Sequence, residues 1–300
     1  MKKQIDNHPV FRARRLAEIE AQKDWPYSHY VGIAGIYLED QEMSILNGDY
    51  LIKNVTNSPG MMNLFSACDI SDNNTHMAAR YASEITCEIC VSERVCDGLD
   101  VNEILNNAWC VAALIKLHSN SNAPCPVSTT VSWDTVAAKQ NNELKVYILD
   151  DVSKYISIGA DNIVSSESLA LVERDFTNFQ RLRLNDVSRR FGLASSIAYT
   201  WCHTSDVRIA FSSLWCALDA LFGDQNDRPV TKSLIERICA WSPNSRYDRL
   251  RTLYDTRCNA IHGREITDIY ANQLLETYRL LRDCITKSLE TGEVPLPDWK

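Results

Sequence analysis

The hydrophobic period of this 300-residue chain changes near residue 165. Before that point, apolar residues gather in short β-branched runs separated by Asn, Asp, Ser and Pro. After it, they recur at three- and four-residue intervals almost to the end. A strand sends successive side chains to opposite faces, whereas a helix returns to one face every 3.6 residues, so the two stretches cannot share one kind of secondary structure. The pattern predicts an α+β chain, with a mixed α/β N-terminal domain over 1–160 and an all-α bundle over 161–300.

Within the first part, VGIAGIYL, DYLIKNV, ITCEICVSERV, STTVSW and LKVYIL read as strands. The segment 101–118 reads as a strong helix, 9–24 as a short amphipathic one, and SNSNAPCPVS as a loop. Six helices are expected in the second part, over 166–183, 185–202, 205–222, 230–241, 245–262 and 267–290. The third shows the rule: Ala210, Leu214, Ala217, Leu218 and Leu221 share a face, Ser205 or Asp206 is placed to cap its start, and Gly223 stops it. Short connections between such helices favour a bundle.

Charge is unevenly spread. The formal net charge is −8, yet residues 174–264 carry 14 Lys or Arg against 9 Asp or Glu, and 13 of those 14 cations are Arg. The planar guanidinium fork suits bidentate phosphate contacts, although solvated helix faces explain such a segment equally well. Eleven cysteines lie mostly inside apolar runs, as reduced core thiols do. Cys87 and Cys90 form the one CxxC, and strand alternation would turn them to opposite faces, so no metal is expected. No apolar run reaches the length of a membrane span and no hydrophobic core follows the basic start, so a cytoplasmic protein without membrane contact is expected.

The segment SRYDRLRTLYDTRCNAIHGRE places Arg257, Asn259 and His262 at the end of one helix, with Gly263 suited to a left-handed cap. This R-x4-H, preceded by IAFSSLWCALDALFG and followed by glycine, resembles the signature of the HEPN superfamily, and within it the Apea-like branch, over about residues 200–290. The resemblance implies a HEPN-like bundle that cleaves RNA without a metal or other cofactor at a homodimer interface, in a toxin-like or anti-phage setting with a regulatory or defence-system partner protein. It also implies catalytic roles for Arg257, His262 and Asn259, and a supporting role for Asp219, which stands where related domains carry an acidic residue. Many members have a polar residue directly after the arginine; here that place is Cys258, with Asn259 one step later. A non-catalytic module that binds RNA or nucleotide, or dimerises as a scaffold, is the alternative.

The residue types suit the chemistry. An imidazole with an ordinary pKa near 6.5 exchanges protons with a 2′-hydroxyl or a leaving 5′-oxygen, and a permanently charged guanidinium offsets the charge that builds on phosphorus. Residues five apart are separated by about 140° on a helix, so one copy offers Arg257 and His262 to different directions and a second copy is expected to complete the site. Arg246, Arg249, Leu253 and Arg257 fall on one stripe, a candidate path for RNA backbone, while Tyr247, Leu250, Tyr254 and Ile261 adjoin it as core or dimer surface. Plainer roles remain open: His262 interacting with the helix dipole, and Arg257 paired with Asp255 or with a neighbouring helix. A second nuclease reading takes Asp134 with Glu143 and Lys145 as a magnesium edge, a pattern also common on solvated hairpins. His8, His29, His76, His118 and His203 show no metal spacing.

Overall fold

The computed structural model describes residues 27–69, 71–119, 121–139, 144–150, 156, 162–185, 189–223, 230–242, 245–263 and 269–295. The helix expected over 9–24, together with His8, Glu143 and Asp151, lies outside them. The chain is α+β and falls into two compact units. The described residues of 1–112, 123–151 and 162–173 form the first, and those of 113–122, 152–161 and 174–300 the second, so the partition is not a single cut along the chain.

The first unit is built on an antiparallel six-stranded sheet in the order β3-β4-β5-β1-β6-β7. Its strands are β1 (Tyr27–Ala34), β3 (Glu42–Ile45), β4 (Tyr50–Asn54), β5 (Ile85–Ser92), β6 (Val127–Thr129) and β7 (Val146–Ile148), while β2 (Tyr37–Leu38) pairs in parallel with β8 (Ile163–Val164). Strand β5 is central and buried on both faces, which accounts for the near-continuous apolar run in ITCEICV and for the burial of both Cys87 and Cys90. Across from it in β1, a Cβ on Gly32 would meet the Ile85 side chain at 3.0 Å, so a larger residue there would force Ile85 to shift. Helices α1 (Met61–Ala67) and α2 (Asn73–Tyr81) contribute Leu64, Ala67, Ala78 and Tyr81 to a core with Ile85, Trp133, Val136 and Val146. The short α3 (Glu93–Cys96) and the longer α4 (Val101–Ser119) follow β5.

One polar network sits inside that sheet. The fully buried Glu88 accepts from Ser132 Oγ at 2.5 Å and from the Trp133 N–H at 2.8 Å, and Lys53 Nζ lies 3.1 Å away from it. A buried carboxylate is tolerated only with such a set of donors.

The second unit is helical: the part of α5 (Ser166–Asn185) from Arg174 on, α6 (Arg190–Thr200), α7 (Val207–Phe222), α8 (Val230–Trp241), α9 (Tyr247–Ile261) and α10 (Ile269–Thr291). Helix α7 is the hub, packed against α6, α8, α9 and α10. Asp206 caps its start, accepting from the Arg208 N–H at 2.8 Å. Its end departs from the usual left-handed stop. Gly223 is extended, and the last carbonyls are taken by side chains: Arg190 donates to Ala220 and Leu221, and Arg237 to Phe222. At the end of α4, His118 and Arg174 flank the buried Asp175; although burial opposes it, their hydrogen bonds hold that carboxyl below its ordinary range.

Burial, and after it the charge of Lys116, lowers the His203 imidazole to about 3. Its ordinary value is near 6.5, so the unfolded chain takes up a proton that the folded chain refuses. This contribution to stability is complete above about pH 6.5 and declines as pH falls toward 3. Urea unfolding of His203→Gln should therefore show a shallower loss of stability between pH 6.5 and 4 than the parent chain. Equal slopes would mean that His203 carries none of the acid sensitivity.

Candidate functional site

Helix α9 carries the motif. Leu250, Leu253, Thr256 and Ala260 repeat at three- and four-residue spacing and are buried, which fixes the rotation of the helix. Thr256 strengthens this seating by donating to the buried Gln273 of α10 at 2.9 Å. Leu253, read from the sequence as part of the basic stripe, is core, as is Leu250, whereas Tyr247 and Ile261 are exposed.

The helix ends as the sequence implied. The N–H of His262 bonds to the Cys258 carbonyl at 3.0 Å, and Gly263 follows with φ +72°, the left-handed region that favours glycine. The His262 ring is exposed and makes no hydrogen bond among the described residues. Arg257 is half-buried, its guanidinium 5.5 Å from the centre of the Tyr254 ring, and Tyr254 stands edge-on to Trp215 of α7 at 5.1 Å. Stacking on a ring orients a guanidinium without using its donors. Indeed Arg257 Nε is buried and makes no hydrogen bond among the described residues.

Asp255, the neighbour considered as a partner for Arg257, bonds to Arg251 instead at 3.3 Å. Asp219 is exposed and makes no ion pair with Arg257. Its carboxylate lies against Gly223, where an added Cβ would come within 2.5 Å of Asp219 Oδ1, so a supporting contact from Asp219 to Arg257 is not formed. Asn259 and Cys258 are both half-buried, and Asn259 is already engaged by a neighbour.

The start of α9 opens on a cleft of about 460 Å³ between the end of α8, the first turns of α9 and the middle of α10. Arg246 caps the helix by position and is exposed, without an ion pair among the described residues. Arg249 is 47% exposed and held in a bidentate pair by Glu276. Sequence reasoning missed three further members: Arg279, Lys287 and Trp241, with Lys287 Nζ 4.9 Å from the centre of the Trp241 ring and donating to the Trp241 carbonyl. Four cations thus face two carboxylates, Glu276 and Asp283. The signal was present as residues 276, 279, 283 and 287 on one helical face, but the acidic balance of the C-terminal stretch concealed it. Eleven residues separate Arg246 from Arg257, about 16 Å along the axis, so a strand seated in the cleft would have to follow the helix to reach the motif.

The magnesium edge is not assembled among the described residues. Asp134 Oδ1 accepts from the Thr56 and Asn57 N–H groups at 2.7 and 2.8 Å, and Oδ2 from Lys53 at 3.1 Å. Burial would raise this carboxyl, but these donors hold it below the ordinary range and use it as a loop clamp. Its proposed partner Glu143 is outside the described residues, and no group of three metal-ligating side chains occurs among them.

Replacing Tyr254 with Leu keeps apolar bulk but removes the ring face under Arg257. The variant should lose about 1 kcal/mol of unfolding free energy, and Arg257→Gln made in that background should cost less than it does alone. Additive losses would show that the ring does not hold the guanidinium.

No protein-family model, no curated protein and no solved structure matches this chain.

Proposed function

We propose that the chain is a metal-independent endoribonuclease of the HEPN type, working as a homodimer. One observation carries the reading: a single helix starts in a cationic cleft and ends in an exposed, unbonded imidazole, with a ring-stacked arginine one turn before it. The cleft supplies attraction for phosphate, which is independent of sequence and sensitive to salt. His262 supplies a proton acceptor or donor that no neighbour occupies, and Arg257 a fixed positive charge.

The nucleophile is the substrate's own 2′-hydroxyl. His262 of one protomer takes its proton as the oxygen attacks phosphorus; a second His262, from the other protomer, protonates the departing 5′-oxygen. Arg257 faces the two non-bridging oxygens, whose charge grows in the transition state. The products are a 2′,3′-cyclic phosphate and a 5′-hydroxyl, with no water activated and no metal required. A toxin-like or anti-phage role rests on the resemblance alone.

A non-catalytic RNA-binding or dimerising scaffold is the second reading, favoured by Cys258 in the place of a polar residue and by the half-burial of Arg257. Incubating the purified protein with RNA in EDTA separates the two. Cleavage should persist, yield cyclic phosphate ends and spare 2′-deoxy-substituted RNA. His262→Ala should lower the rate by about 10²- to 10⁴-fold with binding largely kept, and Arg257→Ala should lower both rate and binding. Cleavage that stops in EDTA would support a metal nuclease, and a folded dimer that binds without cleaving would support the scaffold.

Binding has its own test. Arg246→Glu with Arg249→Glu should weaken RNA binding and flatten its dependence on salt. Glu276→Gln, which releases Arg249, should steepen it. A monomer at micromolar concentration in a mass measurement would remove the two-histidine mechanism.

A further inference from the structure

The second unit buries a lysine that has no carboxylate partner. Lys116, near the end of α4, is 1% exposed and forms no ion pair among the described residues. Its ammonium donates to the Tyr199 carbonyl and lies over the rings of Tyr199 and Trp201, at 5.3 and 6.0 Å from their centres. Its remaining neighbour is sulfur: Nζ is 2.8 Å from Cys202 Sγ, and Cys202 is itself 1% exposed. The pair is anchored on both sides. Cys202 S–H donates to Asn122 Oδ1 at 3.1 Å, which leaves the sulfur lone pairs for the amine, and the Cys202 carbonyl accepts from the Ile156 N–H at 2.8 Å.

A buried ammonium without a counterion is costly. Here the Tyr199 carbonyl, two aromatic rings and the Cys202 sulfur surround it, so a lysine nitrogen and a cysteine sulfur are in contact, out of water. On the Lys116 side lies a cavity of about 10 Å³, lined by Lys116, Ser195, Tyr199 and Tyr278, with room for one water-sized molecule. The Tyr278 hydroxyl is buried there and makes no hydrogen bond among the described residues.

We propose that Lys116 and Cys202 form an oxidation site, in which hydrogen peroxide joins Lys116 Nζ to Cys202 Sγ through one bridging oxygen. The 2.8 Å separation is too long for a direct S–N bond and suits a single oxygen between two atoms that are already held in place. In the first step sulfur attacks one peroxide oxygen, the O–O bond breaks, and the thiol proton leaves with the other oxygen as water; the sulfur, now a sulfenic acid, has lost two electrons. Once the ammonium has given one proton to water, a second peroxide oxidises the amine to a hydroxylamine and is itself reduced to water. The hydroxylamine oxygen then attacks sulfur, displacing the sulfenic hydroxyl, which departs as water with the hydroxylamine O–H proton. Thiol, amine and two peroxides thus give one S–O–N bridge and three waters. Two dithiols reverse it: four electrons and four protons cut the S–O and N–O bonds, giving back thiol, amine and one water, and the dithiols become two disulfides.

The bridge ties the end of α4 to the turn after α6, closing the chain from 116 to 202, and such a link restricts the unfolded ensemble most when the closed loop is long. It is independent of the RNA reading. The test treats the purified full chain with hydrogen peroxide labelled with oxygen-18, digests it, and seeks the peptides of Lys116 and Cys202 joined. The expected pair weighs one labelled oxygen more and two hydrogens less than the separate peptides and comes apart in dithiothreitol. The treated protein unfolds at a higher temperature until reduced. Lys116→Arg should yield no joined pair and should leave Cys202 as sulfenic or sulfinic acid; if that variant does not fold, the oxygen label in the parent chain decides alone. Joined peptides lacking the oxygen, oxidised Cys202 with Lys116 untouched, or an unmodified Cys202 in protein whose exposed Cys216 has oxidised would each overturn the proposal.

Discussion

A helix as apolar as α7 has to be surrounded. Ala210, Phe211, Leu214, Trp215, Ala217, Leu218, Leu221 and Phe222 are all buried, spread over more than one face. At roughly 25 cal/mol per Å² of apolar surface removed from water, leaving any side of it open would forfeit several kcal/mol. Four helices therefore gather round it, and each is oriented by what it must cover. The rotation of α9 follows from this: Leu250, Leu253 and Ala260 turn inward, and the residues between them take whatever positions remain.

The same demand sorts the arginines. Burying the end of α7 leaves carbonyls that water cannot reach, and Arg190 and Arg237 fill that role. Arg174 is committed to Asp175, Arg181 to the Gly292 carbonyl and Arg251 to Asp255. A segment that looks uniformly basic is thus divided between capping, pairing and solvent. What gathers at the cleft is a smaller set, partly drawn from α10, and its charge is tempered by Glu276 and Asp283. The cationic character of the cleft is thus local rather than a property of the whole segment.

Two buried ionisable side chains, Glu88 in the first unit and Lys116 in the second, follow opposite rules. Glu88 is surrounded by donors and Lys53, so its charge is answered inside the sheet. Lys116 is answered by a carbonyl, two rings and a thiol, none of which carries a fixed negative charge. The first arrangement holds a structure together, while the second leaves reactive atoms in contact.

Local rules were legible in the sequence wherever a residue acts on its own backbone or along its own element. The switch from strand to helix near 165, the Asp206 cap and the left-handed Gly263 after His262 all follow from periodicity and backbone sterics, which need no knowledge of neighbours. Tertiary structure decided everything that depends on which faces meet. Spacing could not say that Leu253 would be core, that Tyr254 would lie under Arg257 while meeting Trp215 edge-on, or that Asp219 would lie along its own helix end rather than reach Arg257. Nor could it bring Arg279 and Lys287 beside Arg246, or Lys116 beside Cys202 across 86 residues of chain. A one-dimensional pattern fixes how each element is built and where it stops, because those energies are local. Contact between elements is set by the joint burial of several helices at once, and no single helix records that sum in its own sequence.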